Sequence, residues 1–217
     1  MNLNAIYGRI SPHFRRKRLR WFMDRVKPSA DADRMLDVGG YPYNWRDLPA
    51  CAKELVVLNI DPFEMDEAFK DDYQARGVVG SACEMEFADG EFDVVFSNSV
   101  IEHVGTWENQ VKFASEVRRI GGALWVQTPA RSFFIEPHYI APFIHWFPKG
   151  VQRRLARWFT PWGWIVKPTP AEVDDRLEEI RLLSRKEMEA LFPDCEIIAE
   201  KFCGVFTKSY VALRGRC

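Results

Sequence analysis

The chain has 217 residues, 47% hydrophobic and 28% charged, with a formal net charge of −1. That balance fits one globular domain with a sizeable core and excludes disordered and collagen-like classes. Its cysteines (Cys51, Cys83, Cys195, Cys203 and Cys217) are odd in number, irregularly spaced and without a C-x-x-C pair, which excludes a disulfide framework and a cysteine zinc site. Most are expected to be small buried hydrophobes, with Cys217 an exposed thiol, as suits a reducing cytoplasm. Met1 to Ile10 lacks the apolar stretch of a secretory signal. No run reaches the ~20 apolar residues that span a bilayer. The expectation is a cytoplasmic protein that at most lies on the inner membrane surface.

In chain order, Phe14, Leu19, Trp21, Phe22 and Val26 sit among basic residues and predict a helix over 12–26, ending before Lys27-Pro28. Residues 34–40 read as a short apolar strand running into a glycine turn, and 53–60 as a second strand. Uninterrupted apolar runs are expected where both faces of a parallel sheet are covered. A helix from Phe63 to Tyr73 and a short third strand at Gly77–Val79 follow. Residues 92–97 form a fourth strand and Trp107–Ile120 a helix, closed by Gly121-Gly122 as a glycine stop; a fifth strand spans Ala123–Thr128. Alternating strands and helices predict a parallel α/β sheet. Ser184 with Glu187 spells a capping box for a helix through Leu191, and Cys195–Phe202 and Val205–Leu213 read as two closing strands.

Residues 129–170 break this rhythm. They are rich in proline and aromatics, and loops this long usually carry function. Residues 1–27 and 129–170 carry net charges of +7 and +5, leaving −13 on the rest. An acidic body with two basic segments reads either as a face for something anionic or as two solvated helix faces.

A glycine turn after a first strand lets backbone amides approach a ligand at the carboxyl ends of the strands. Asp37-Val38-Gly39-Gly40 provides one, while the glycine spacings of phosphate-binding loops are missing. Asp61 follows the second strand, where a carboxylate accepts hydrogen bonds from a ribose diol; the alternative is that Asp61-Pro62 caps the next helix. With four histidines and no cysteine partner at metal spacing, no metal site is expected.

The ordered set from Gly80 to Val104, with Phe87 to Val95 as the F-x-D-x-x-F-D-x-V run and Glu102-His103-Val104 close behind, resembles the type 11 branch of the class I S-adenosylmethionine (SAM)-dependent methyltransferases. The resemblance spans roughly residues 34–128. It implies a Rossmann-like seven-stranded, mostly parallel sheet of order 3-2-1-4-5-7-6, SAM as cofactor and S-adenosylhomocysteine as product. Asp37, Gly39 and Gly40 match the first motif, Asp61 the ribose acid, Ser97 and Asn98 the end of the fourth strand. Tyr41 and Tyr43 replace later glycines of that motif, implying a wider turn or tyrosine walls to the cofactor. Ser81 stands where the family places an adenine-contacting aspartate; Ala82 and Cys83 offer backbone groups beside it.

Methyl transfer from an activated sulfonium needs in-line positioning, and a base where the nucleophile must lose a proton. His103 and His138 are the candidate bases, His138 within a Glu136-Pro-His segment that contributes a lid to the acceptor site; His103 also reads as a residue that hydrogen-bonds the loop and shapes the pocket. The organisation predicted is one methyltransferase domain over 1–217, with an N-terminal helical segment at 1–33 and a cap at 129–182. The acceptor expected is a small molecule or a sugar- or lipid-linked group, methylated on O or N. A protein or RNA methyltransferase and a non-catalytic SAM-binding scaffold are the alternatives; nucleic-acid binding is disfavoured by overall charge. The basic aromatic stretch 143–164 reads as a lid on the acceptor or as an interfacial membrane element. Oligomeric state is left open.

Overall fold

The computed structural model describes residues 16–216 apart from 32, 42–44, 46–49 and 64–73. The expected helix at 63–73, Phe14, Tyr43 and Cys217 therefore fall wholly or largely outside the described residues.

Seven strands form one sheet: β1 (Arg34–Val38), β2 (Glu54–Asn59), β3 (Arg76–Val79), β4 (Phe92–Asn98), β5 (Gly121–Pro129), β8 (Glu196–Phe202) and β9 (Phe206–Arg214). Their order is β3-β2-β1-β4-β5-β9-β8, with β6 (Ile135–Glu136) and β7 (Ala141–Pro142) making a separate two-stranded ribbon. Counted without that ribbon, the order is the expected 3-2-1-4-5-7-6. Strands β1 to β5 pair in parallel and β9 runs antiparallel to both β5 and β8.

Both faces of the sheet are covered, which is why β1, β2 and β5 are nearly continuous apolar runs. On one face, Leu36, Val56, Val95 and Leu124 pack with Phe113 and Val117 of the helix Trp107–Ile120 and with Met188 and Leu191 of the helix Arg185–Leu191. On the other, Leu19, Phe22 and Val26 of the helix over 16–26 pack with Met35, Trp45, Phe96 and Trp125. Phe22 meets Phe96 edge-on at 5.0 Å and Trp125 at 5.9 Å. Ring pairs of this kind add about 0.5–1.5 kcal/mol beyond the area they bury.

Ser184 accepts from the Glu187 amide while the Glu187 carboxylate accepts from the Ser184 amide, the reciprocal cap read from sequence. The glycine stop is corrected. Gly121 is extended (φ −108°, ψ 141°) and starts β5 directly, so no left-handed cap exists. Its role is close approach, since a Cβ there would stand 2.6 Å from Val95 Cγ2. The cysteine expectation is corrected too: the four described cysteines form no disulfide with one another, and of them only Cys51 is buried. Cys203 follows β8 in an exposed turn, where nothing packs over it.

Between β5 and the capped helix, residues in which no clear strand–helix step was legible fold into the β6/β7 ribbon and three helices, Lys149–Trp158, Pro161–Val166 and Pro170–Glu179. Thr160 and Thr169 cap the second and third through side-chain oxygens, each with proline in the first turn. Tyr139, Ile144, Ala156, Trp162, Val173 and Leu177 form a separate small core beneath them.

Candidate active site

Strand β1 ends at Asp37 and Val38 and the chain turns through Gly39, whose φ of +72° is a left-handed conformation suited to glycine. Its amide donates to Leu58 O at 2.7 Å, tying the turn to β2. Gly40 lies against the Asp37 carboxylate, where a Cβ would come within 1.7 Å of Oδ2. That carboxylate is buried and accepts the Trp45 indole N–H at 2.7 Å. Asp37 thus shapes the turn from inside. Asn59, buried at the end of β2, donates to Gly40 O at 3.0 Å and accepts from the Asp61 amide. Trp45 and Asn59 were not singled out by sequence, because each acts through loop geometry that no spacing reveals.

At the carboxyl edge of the sheet the exposed side chains of Ile60 and Asp61 stand side by side, with Tyr41, also exposed, packed edge-on to Phe63 at 6.2 Å. The Ser81–Cys83 turn adjoins, since the Gly80 amide bonds Asn59 O. Ser81 Oγ accepts from the Cys83 amide at 3.2 Å, and the Cys83 thiol donates to Asn109 O. Burial pushes that thiol above its ordinary value. Ser97 is fully buried, its hydroxyl given to Val38 O, so it ties β4 to β1 rather than facing the edge. Asn98 Oδ1 accepts from Arg18. Arg18 also donates to Gln127 Oε1 and pairs with buried Glu200, both at 3.0 Å. It is therefore turned inward, so this one residue of the basic N-terminal helix is not on a solvated face.

Past β4, Val100 packs on Gly39, and the single turn Ile101–His103 follows. This turn meets the ribbon of the cap. His103 and His138, 35 residues apart, bring their Nε2 atoms to 3.1 Å. His103 Nδ1 lies 2.7 Å from Glu179 Oε1 and His138 Nδ1 lies 2.6 Å from Glu136 Oε1. Each Nδ1–H donates to its carboxylate, which leaves the two Nε2 atoms facing one another. Burial by itself would lower the His138 ring, but the hydrogen bond and charge of Glu136, with the charge of Glu102, together raise it. Glu102 is fully buried; one of its oxygens accepts from Thr128 Oγ1 at 2.9 Å and the other has no hydrogen-bond partner among the described residues.

Beside this cluster, between sheet and cap, lies a cavity of ≈ 830 Å³, walled by Trp107, Glu136, Tyr139, Trp146, Lys149 and Arg181 among others. Its wall is mainly aromatic and apolar with cations at intervals, the expected character of a site for a small organic ligand.

The residues match known proteins in the same region. Residues 36–126 match the methyltransferase domain family. No curated protein matches the sequence. Among solved structures, the chain superposes on a small RNA methyltransferase, HEN1, with a TM-score of 0.58 at 14% identity, covering 91% of this chain and 24% of that one. Phosphoethanolamine N-methyltransferase 2 of Haemonchus contortus, in complex with S-adenosyl-L-methionine, gives 0.58 at 13% identity, with coverages of 93% and 53%. The MccD protein gives 0.51 at 11% identity, with coverages of 84% and 71%. The chain spans a quarter of the first of these proteins and about half of the second; at such identities they speak for fold alone. The sheet order and the matched stretch, which holds the Gly39 turn, Asp61 and the Glu102-His103 turn, make residues 36–126 similar to the methyltransferase domain family.

Proposed function

We propose that the chain transfers the methyl group of SAM to an oxygen or nitrogen of a small-molecule or sugar- or lipid-linked acceptor held in the cavity under the cap. The observation that carries this reading is the direct link from cofactor turn to cavity. Gly39 supports Val100, the next turn carries Glu102 and His103, and Gly105 to Trp107 reach the cavity wall. The residues at the sheet edge fit the cofactor: Asp61 offers a carboxylate to a ribose diol, exposed Ile60 an apolar face to adenine, and the glycines leave the turn free of Cβ atoms. Bound SAM supplies an electrophilic methyl group on a sulfonium. The chain's own part is to hold the nucleophile in line with it and exclude water, a contribution of up to ~7–11 kcal/mol when the alignment is good. We place the nucleophile against the His103–His138 pair, whose partner Glu136 forms part of the cavity wall.

Purified protein incubated with methyl-tritiated SAM and, separately, aqueous small molecules, lipid extract and RNA tests the reading. Label entering the small-molecule or lipid fraction supports it. Label confined to RNA or to protein overturns the acceptor class, and S-adenosylhomocysteine binding without any transfer favours a scaffold.

The cap suggests a second role. Trp146, Trp158, Phe159 and Trp164 are each more than half exposed beside Arg153, Arg154 and Arg157. Aromatics beside cations suit the headgroup level of an anionic membrane, which would bring a lipid-linked acceptor to the cavity mouth. Among the described residues no helix is long and apolar enough to cross a membrane.

A further inference from the structure

We infer that Glu102, His103 and His138 form a binding site for one divalent transition-metal ion, of the zinc, manganese or cobalt kind, at the edge of the cap cavity. One ligand atom from each of the three lies within 4.8 Å of the others. The nitrogens already have the right separation. Two atoms each ~2.1 Å from one ion, at angles of about 95–110°, stand ~3.1–3.4 Å apart, and the two Nε2 atoms are 3.1 Å apart.

The outer shell has the pattern that metal-binding imidazoles require. A ligating histidine donates its other ring N–H to a carboxylate, which fixes the ring and makes the bound nitrogen more basic. Here both do so, His103 to Glu179 and His138 to Glu136, and Glu136 is itself anchored by the Tyr139 amide at 2.7 Å. The third donor is the independent observation. A fully buried carboxylate oxygen without a hydrogen-bond partner carries a desolvation cost of about 1–3 kcal/mol or more, and Glu102 Oε1 is in that position. A cation beside it removes the cost. Closing all three donors on one ion asks the Glu102 carboxylate to draw in from a separation of up to 4.8 Å or to bind through a bridging water, since carboxylate oxygens bind at ~2.0–2.2 Å. Two imidazoles and one carboxylate suit first-row divalent ions and leave coordination positions open.

The open positions take an oxygen or nitrogen of the acceptor, so the histidines act on the nucleophile as ion ligands rather than as a free base. This part rests on the proposed acceptor site; the ion site itself does not. Spacing hid the site in the sequence, because only the cap ribbon brings His138 across to His103.

The full-length protein, stripped with a chelator, is titrated with Co²⁺ while d–d absorption is followed, and with Zn²⁺ by calorimetry. One ion per chain is expected, with His103→Gln and His138→Gln each weakening it at least about tenfold and Glu179→Gln, which loses only the ring's orienting partner, weakening it less. S-adenosylhomocysteine calorimetry on the same samples checks the fold and separates failure here from failure of the cofactor reading. Absence of a d–d band in wild type overturns the site, as does unchanged affinity in both histidine variants. Should His138→Gln fail to fold, His103→Gln, at a side chain 32% exposed, carries the test.

Discussion

Arg18→Ala removes one side of an ion pair buried between the N-terminal helix and the sheet. Arg18 and Glu200 are only 12% and 6% exposed, and the guanidinium also bonds Gln127 and Asn98. Stranding a buried carboxylate costs about 3–5 kcal/mol. Two groups soften this loss. The Ser209 hydroxyl still donates to Glu200 at 2.5 Å. Lys208, held down to about 8 by burial and by Arg18's own charge, still carries most of its charge near neutral pH and faces less repulsion beside Glu200 once Arg18 is gone. The expected loss is therefore about 2–4 kcal/mol, read by urea unfolding near neutral pH. Arg18→Ala combined with Glu200→Gln is expected to recover part of it by removing the unpaired charge, a positive coupling in a double-mutant cycle. A loss below about 1 kcal/mol for the single variant, or simple additivity in the double, would refute the reasoning.

The same pair sets an acid limit. Burial alone would raise the Glu200 carboxyl, but the charges of Arg18 and Lys208 and the bonds from Ser209 and Arg18 outweigh it, so it lies below the ordinary value. A depressed carboxyl stabilises the fold above its unfolded value near ~4.3 and loses that contribution as pH falls through the folded value. The stability gap between wild type and Glu200→Gln should therefore close below about pH 4 in urea titrations; a gap independent of pH contradicts this. Gly40→Ala must displace the Asp37 carboxylate from its place by Trp45, so Trp45 loses its acceptor. A change in tryptophan emission with roughly 1–3 kcal/mol of destabilisation is expected by chemical unfolding. Glu187→Ala removes one half of the cap at Ser184 and should cost about 1 kcal/mol by thermal melts, with the sheet intact. Charge reversal of Arg153, Arg154 and Arg157 should reduce sedimentation with anionic liposomes; equal sedimentation of variant and wild type refutes the membrane reading.

Much of the fold was legible because it obeys local rules. Val56 to Asn59 are buried on both faces of a parallel strand and so read as an unbroken run, and Ser184 with Glu187 caps its helix within four residues. The glycine pair at 121–122 misled because a glycine needed for close approach looks the same in sequence as one needed for a left-handed stop. The division of the cap into three short helices was not legible, because prolines and scattered aromatics mask the period of helices that their threonine caps delimit. The positions of Asp37, Gly39, Gly40 and Asp61 at the ends of β1 and β2 followed from the apolar runs that precede them. That the Ser97 hydroxyl is buried on Val38 O was not legible, because strand-end position does not say which way a side chain turns. Contacts across long separations were invisible, among them Arg18 with Glu200 and His103 with His138. So was the unmatched oxygen of Glu102, since burial without a partner has no sequence signature.

The central claim is a cofactor bound at the Gly39–Gly40 turn against Asp61. Calorimetric titration of S-adenosylhomocysteine into wild type and Asp61→Ala tests it most directly. One equivalent is expected to bind wild type. Loss of the ribose hydrogen bonds to a charged acceptor, about 1.5–3 kcal/mol, should weaken the variant roughly 10- to 150-fold. No heat with folded wild type, or equal affinity for both proteins, would contradict the account.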